Sequence, residues 1–251
     1  MEKIKNPSVL AAMAGITDGD FAQFCLKRGG AGMVTIGGYP VGREMIQASI
    51  KIAQRGRKEF ILQSGNESRD LLREANKIKD VSSLIINLRL NQSKEAKKLA
   101  QEFTEIITEK PIIEINAHCR QVEITEEGGG QSLLYRSKVL NDIIRNFHSR
   151  DFRISLKIRG NAISPDVFSH QVCQWPLDFL HIDSYQVGRK GTDLDLLTKY
   201  TQILDISIIG NNSVTDFQSA KAILNTGARF FSIARAAQKN PSIFYSLVKH
   251  F

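Results

Sequence analysis

The strongest constraint on the fold is an alternation between short apolar runs and longer amphipathic segments. Nine runs of six or seven residues, rich in Val, Ile and Leu, have the length and β-branched content of buried parallel strands. Between them, segments such as 96–107 place apolar residues at helical spacing. The alternation therefore predicts parallel strands joined by helices. The nine runs lie at residues 8–14, 31–37, 59–64, 82–88, 111–116, 153–158, 178–183, 205–210 and 229–234.

The length of 251 residues, with no linker or break in composition, predicts a single domain over residues 1–251. Eight or nine strand–helix units in such a chain favour an α/β fold of the TIM (β/α)8 barrel type over an open doubly wound sheet. Because this barrel closes with eight strands, one of the nine runs has to lie outside it. We assign the run 59–64 to an excursion between strands 2 and 3 that covers residues 39–80.

Composition narrows the classes of function. No apolar stretch is long enough to cross a bilayer and the N-terminus does not resemble a secretory signal, so we expect a cytoplasmic protein without a membrane partner. The formal net charge of +8 at pH 7 favours an anionic partner, such as a phosphate-bearing cofactor or RNA, although a solvated basic face would give the same charge. The three cysteines are widely spaced, which predicts neither a disulfide nor a metal site.

In a barrel of this type the chemistry lies at the carboxyl ends of the strands. Polar residues stand at the end of most of the predicted strands. Lys157 and Arg159 are two residues apart, so both side chains should point inward at the mouth. There they would meet an anion or a polarised carbonyl, or else pair with Glu114 or another carboxylate of the barrel.

Cys119 and Asn116 follow the predicted strand 111–116. A thiol in this place could act as a nucleophile or a proton donor, although a buried cysteine is also common as a packing residue. Downstream, the triple glycine 128–130 would either let the backbone approach a ligand or serve as a hinge.

The last two strand–helix units carry the features of a phosphate site. One strand ends in Gly-Asn-Asn at 210–212, and the next ends with Ala234 and Arg235. Barrels commonly hold a phosphate at these two loops, and the guanidinium of Arg235 would suit one, unless it is only a surface cap. Thr215 with Gln218 predicts the capping box of the helix between them.

Taken in order, these segments resemble the dihydrouridine synthase family of FMN-dependent TIM barrels, and more distantly dihydroorotate dehydrogenases. The matching segments run along nearly the whole chain: LAAMAGITDGDF, IEINAHC, GGGQSLL, SLKIRG, LHID, IIGNNSV and SIARAAQKNPSIF. An ordered set of this kind is more specific than any one motif.

The resemblance implies FMN in the mouth of the barrel. The cofactor-binding residues that it implies are Met13 and Ala14 through their backbone, Asn87 on strand 3, Lys157 at the pyrimidine side of the flavin, His181 along the cofactor, and Asn211, Asn212, Ala234 and Arg235 at the phosphate. If the run 59–64 were strand 3 instead, Gln63 would take the place of Asn87.

The resemblance also implies a reaction. Reduced flavin, regenerated by NADPH or NADH, would deliver hydride to C6 of a uracil ring. Cys119 would donate the proton to C5, Asn116 would be its partner on the substrate side, and Arg159 would stabilise charge on the substrate. The implied partner is tRNA.

Several positions depart from the family pattern. Ala12 stands at the place of a proline, Arg120 replaces the proline after the cysteine, Asn212 replaces a glycine, and HIDSYQ lacks the arginine that follows the histidine of the family. The sequence stops about one helix after the eighth strand, which suggests a short form without the C-terminal helical domain that holds tRNA. Two alternatives therefore stay open: an FMN-dependent oxidoreductase of a small molecule, and a non-catalytic barrel that binds a phosphate ligand.

Overall fold

The computed structural model describes residues 4–185, 188 and 190–250, and eight strands within these ranges form a closed parallel barrel. The strands are β1 (Ser8–Leu10), β2 (Met33–Pro40), β3 (Leu84–Arg89), β4 (Ile112–Ala117), β5 (Ile154–Arg159), β6 (Phe179–Asp183), β7 (Ser207–Asn211) and β8 (Phe230–Ile233). Each strand pairs in parallel with the next one in sequence, and β1 pairs with β8 to close the barrel. The predicted TIM barrel is confirmed.

Helices surround the barrel. In the described ranges they are α1 (Gly19–Lys27), α2 (Arg43–Gln54), α3 (Glu67–Ala75), α4 (Ser93–Ile106), α5 (Val122–Glu126), α6 (Ser137–His148), α7 (Pro165–Val172), α8 (Leu194–Ile203), α9 (Phe217–Leu224), α10 (Arg235–Lys239) and α11 (Ile243–Val248). The apolar stripe predicted within 96–107 is the buried face of α4, through Ala96, Leu99, Ala100 and Phe103. Burial of this stripe against the barrel fixes the helix.

The excursion between β2 and β3 is confirmed and contains α2 and α3, but it begins after Pro40 and not at residue 39, because β2 extends to Pro40. The expectation that residues 59–64 form a strand is wrong, because this segment has no strand pairing. In a closed barrel every strand already has two neighbours, so no free edge is left to pair with it. The segment is held by side chains instead: the Phe60 ring lies 4.4 Å from that of Tyr39, while Ile61 remains 47% exposed.

The predicted capping box is one residue away from its place in the structure. Asp216, not Thr215, is the N-cap of α9, and its carboxylate accepts a hydrogen bond from the backbone N–H of Ser219 at 2.8 Å. The Ser219 hydroxyl reaches back to the backbone N–H of Asp216. An aspartate whose carboxylate accepts from the third helical residue satisfies the cap as well as a threonine would.

The interior of the barrel changes from apolar to polar along the strands. At the amino ends, Ile85, Ile112, Phe179, Ile209 and Phe230 belong to one buried apolar cluster. Two residues further along these strands stand Asn87, Glu114, His181, Asn211 and Ser232. Because alternate residues of a strand share one face, the barrel has an apolar floor, a polar layer above it and an open rim.

Two features are absent among the described residues. None of the helices in this part of the chain is long and apolar enough to cross a membrane. Likewise, no three His, Cys, Asp or Glu side chains among these residues are grouped so that they could hold a metal ion.

Candidate active site

Two adjoining cavities open at the carboxyl ends of the strands, where the sequence predicted the site. Their volumes are about 700 Å³ and about 810 Å³. Ala12, His118, Lys157 and Arg235 line both, so the cavities meet at these four residues. The first cavity extends toward the loops after β7 and β8, and we call it the phosphate cavity. The second extends toward Cys119 and the excursion, and we call it the thiol cavity.

Lys157 is a buried cation at the junction of the two cavities. It is only 4% exposed, and its ammonium forms no hydrogen bond or ion pair within 4 Å among the described residues. Burial lowers the pKa of Lys157, while the nearby carboxylates of Glu114 and Asp183 oppose this shift. Since a buried cation without a partner is costly, this group fits an anionic or strongly polarised ligand atom in the cavities.

The phosphate cavity is lined by the four residues for which a phosphate role was predicted: Asn211, Asn212, Ala234 and Arg235. Asn212 and Ser213 have positive φ angles of 126° and 52°. Both angles lie in the positive-φ range that glycine adopts most readily, so the loop keeps a conformation that glycine would favour. Asn212 stands where the pattern of the resembled family has a glycine, and its backbone still has the positive φ angle that a glycine would adopt.

Cys119 and Asn116 lie together at the thiol cavity. The side-chain carbonyl of Asn116 accepts hydrogen bonds from the backbone N–H groups of His118 and Cys119, at 3.2 and 3.0 Å. Its amide donates to Oδ1 of Asn87 at 2.9 Å. Gln131, in a short 3-10 helix (Gly130–Tyr135) that begins at the last of the three glycines, donates its backbone N–H to the carbonyl of Cys119 at 2.9 Å. These bonds fix the turn that carries the half-buried thiol.

The excursion contributes a wall of the thiol cavity through Arg57, Lys58 and Glu59. Glu59 forms an ion pair of 2.5 Å with Arg89 at the end of β3, and both side chains are almost fully buried. Gly15 has a φ of 69° and lies so close to this segment that a Cβ there would be 2.5 Å from the backbone nitrogen of Glu59. The excursion is thus joined to the rim by a buried ion pair and by close backbone packing.

A fully buried polar network lies directly beneath the cavities and has Glu114 at its centre. Its carboxylate accepts from Asn87 at 2.7 Å and Ser155 at 3.0 Å, and it lies 2.7 Å from Nδ1 of His181. Nε2 of His181 lies 2.7 Å from the hydroxyl of Ser232. Burial alone would raise the pKa of Glu114, but His181, the charge of Lys157 and the hydrogen bond from Asn87 together outweigh it, and the pKa falls to about 2. Burial lowers the pKa of His181.

Ten of the twelve predicted site residues line the two cavities: Met13, Ala14, Asn116, Cys119, Lys157, Arg159, Asn211, Asn212, Ala234 and Arg235. The other two, Asn87 and His181, are fully buried in the network below and line neither cavity. Asn87 does lie on β3, whereas Gln63 is exposed and its backbone N–H donates to Asp70. The roles of all twelve toward a cofactor stay predictions.

Sequence reasoning missed the carboxylate Asp183 and its partner His118. Nε2 of His118 lies 2.7 Å from Oδ2 of Asp183, and Arg159 lies 3.5 Å from the same oxygen. Arg159 thus pairs with a barrel carboxylate, which was the alternative to a ligand. Lys157 has the carboxylates of Glu114 and Asp183 nearby but forms no ion pair within 4 Å among the described residues. Strand alternation would have indicated Asp183, because it stands two residues after His181 on β6 and shares its face.

We compared the chain with known proteins. No family model matches it. It is 34% identical over 244 residues to the uncharacterized protein MJ0144 of Methanocaldococcus jannaschii, which covers 95% of this chain and 92% of that protein. It is 26% identical over 259 aligned positions to tRNA-dihydrouridine synthase B of Proteus vulgaris, covering 99% of this chain and 72% of the relative. It is also 26% identical to tRNA-dihydrouridine synthase B of Escherichia coli, covering 99% of this chain and 73% of that relative.

Solved structures agree on the fold. A variant of NCR from Zymomonas mobilis superposes with a TM-score of 0.66 at 15% identity, over 98% of this chain and 87% of that one. FabK from Thermotoga maritima gives a TM-score of 0.58 at 13% identity, over 92% of this chain and 58% of that one. This chain therefore spans less than two thirds of FabK. At such identities the likeness supports the barrel fold alone.

Proposed function

We propose that this chain, which belongs to the dihydrouridine synthase family, is an FMN-dependent oxidoreductase that reduces the C5=C6 bond of uracil in tRNA. In this proposal residues 1–251 act as one FMN-binding barrel domain. The observation that carries it is the convergence of a buried cation, Lys157, an exposed guanidinium, Arg235, and a thiol, Cys119, on two adjoining cavities. Convergence of these groups at the carboxyl ends of barrel strands is typical of an active site.

The residues present fit FMN. The phosphate cavity offers the guanidinium of Arg235 and the amide side chains of Asn211 and Asn212 to a phosphate. Lys157, at the junction, would face the electron-rich pyrimidine side of the ring system, where an unpaired buried cation gains a partner. Met13 and Ala14 line the thiol cavity and would meet the flat ring through their backbone.

Bound FMN would supply the hydride for C6, with NADPH or NADH as the source of electrons. The chain supplies the remaining steps. Arg159 lines the thiol cavity and would stabilise the charge that develops on the uracil carbonyl when C6 is reduced. Cys119 would then transfer its proton to C5, and the rigid turn held by Asn116 would keep the sulfur in place.

A basic rim supports RNA as the partner. Arg57, Lys58 and Arg120 line the thiol cavity together with Arg159 and Arg235, and the formal net charge of the chain is +8 at pH 7. Cations around a cavity attract a polyanion and position its phosphates. Binding of tRNA should therefore weaken steeply with salt, because each phosphate contact releases counterions.

The test is formation of dihydrouridine in an unmodified tRNA transcript incubated with FMN-loaded protein and NADPH, with NADH in parallel. We expect dihydrouridine that depends on both FMN and the reductant. FMN-loaded protein that oxidises NADPH but forms no dihydrouridine would contradict RNA as the substrate and favour a small molecule instead. A protein that binds FMN and transfers no electrons would favour the non-catalytic alternative.

A further inference from the structure

Asp183 is the centre of a saturated polar cluster between the two cavities. Oδ2 lies 2.7 Å from Nε2 of His118 and 3.5 Å from Arg159. Oδ1 accepts from Nδ2 of Asn212 at 3.0 Å and from the backbone N–H of Tyr185 at 3.2 Å. Burial alone would raise the pKa of Asp183, but His118 and Arg159 outweigh it and the pKa falls to about 2. At neutral pH this carboxylate is therefore ionised, with hydrogen bonds to His118, Asn212 and Tyr185 and an ion pair with Arg159.

The same contact sets the state of His118. Burial is the main cause that lowers the pKa of His118, and the charges of Lys157 and Arg159 lower it further while Asp183 opposes them. The ring is therefore neutral at pH 7, with its proton on Nε2, where the ionised carboxylate accepts it. The lone pair of Nδ1 is then available. Within the described part of the chain Nδ1 has no hydrogen-bond partner, and His118 lines both cavities.

A uracil ring needs an acceptor at this place. Its imide N–H is a donor that lies between two carbonyl oxygens, and the cation Arg159 suits one of those oxygens. Two other side-chain acceptors that line the thiol cavity already have partners. The carbonyl of Asn116 already accepts two backbone N–H groups, and Glu59 is paired with Arg89. An imide N–H enclosed without an acceptor would cost binding free energy, so the free lone pair on His118 is significant.

We propose that His118 determines specificity by accepting the imide N–H of the uracil ring at Nδ1, and that Asp183 is the residue that positions it. The proposal rests on the proposed function and names the group that recognises its substrate. It concerns residues of this chain in particular: HIDSYQ lacks the arginine that follows the histidine in the resembled family, and Asp183 of this segment lines the phosphate cavity.

The test compares uridine 5′-monophosphate with its N3-methyl derivative, which lacks the imide proton. Binding of each to FMN-loaded protein is measured by isothermal titration calorimetry. For the unaltered protein, methylation should weaken binding at least tenfold, about the effect of leaving a buried polar group unpaired. In His118→Ala the two compounds should bind within about twofold of each other. His118→Asn, whose amide oxygen can accept, should restore a large part of the difference.

Two further variants sharpen the test. Asp183→Asn no longer enforces the proton on Nε2, so the preference for the unmethylated compound should fall, which loss of packing alone would not cause. His170→Ala replaces an exposed histidine near the end of α7 and serves as the control. It should keep the full difference between the two compounds.

Three results would overturn the proposal. The first is a difference of the same size in His118→Ala as in the unaltered protein. The second is a loss in His118→Ala that falls on FMN affinity alone, since the flavin ring carries an imide of its own. The third is no binding of uridine 5′-monophosphate at all. Failure to bind FMN would instead contradict the proposed function, and the same titrations on the protein without FMN would still decide the role of His118.

Discussion

Replacement of Glu114 by alanine should remove about 3 to 9 kcal/mol of folding free energy. Three donors would lose their acceptor: Nδ1 of His181, the amide of Asn87 and the hydroxyl of Ser155. Each buried donor without a partner costs about 1 to 3 kcal/mol. The pKa of Glu114 gives a second route to the magnitude: the fall from 4.5 to about 2 corresponds to about 3 kcal/mol. A loss of this size is a large part of the 5 to 15 kcal/mol that is typical of folded proteins.

Urea unfolding at pH 7, followed by far-UV circular dichroism, measures the effect. Glu114→Gln keeps one acceptor oxygen, so it should lose roughly half as much as Glu114→Ala. Because the folded pKa lies below the unfolded one, the contribution of the ionised carboxylate is complete above about pH 4.5 and is lost as the pH falls toward about 2. Glu114→Gln should lack this part of the acid dependence. A loss below about 1 kcal/mol in Glu114→Ala would refute the reasoning, since the network would then not need its carboxylate.

Three other predictions concern the rim. Cys119→Ala should lower kcat at least about a hundredfold with FMN affinity unchanged, because only the proton donor is lost. The control Cys173→Ala should keep both kcat and FMN affinity. Full turnover in Cys119→Ala would mean that the thiol only packs. Arg235→Ala should raise the Kd for FMN about tenfold in a fluorescence titration, because the guanidinium assigned to the phosphate is lost. An unchanged Kd would mean that the phosphate of FMN lies elsewhere. Burial lowers the pKa of His118 and His181, so below pH 6.5 the unfolded chain binds more protons than the folded one. The urea concentration at the unfolding midpoint should therefore be lower at pH 5 than at pH 7. An equal midpoint at both pH values would contradict neutral buried rings.

The sequence was sufficient to predict the barrel because its strands are buried on both sides and therefore apolar along most of their length. β4 and β5 lie within one residue of the runs 111–116 and 153–158. The segment 59–64 has a similar composition but is not a strand, and composition cannot show whether a partner strand is available. Strand pairing depends on which edges are free in three dimensions, and a closed barrel has none.

The sequence predicts a site residue correctly where its place at the barrel mouth follows from its position after a strand. Cys119 and Arg235 come directly after strands, so their place at the mouth follows from the fold. His181 and Asn87 also lie on the inner face, but the structure places them a layer below the cavities. The depth of a residue depends on where each strand enters the barrel, and that stagger is not visible in the sequence.

The hydrogen-bond and ion-pair partners of the site residues could not be predicted from the sequence. His118 and Asp183 are separated by 65 positions in the chain, and Glu59 and Arg89 by 30. Each pair joins two segments whose proximity depends on the closed barrel or on the excursion. Their polar character is visible in the sequence, but only the fold shows which acceptor each cation has and that Lys157 has none in the part of the chain that the structure describes.

The central claim is that the two cavities together hold FMN, and a fluorescence titration of FMN with the purified protein tests it most directly. We expect saturable quenching with a Kd in the micromolar range or below. Lys157→Met should weaken the binding at least tenfold, because the buried cation would lose its anionic partner. A protein that is colourless when purified and leaves the fluorescence of added FMN unchanged would contradict the claim.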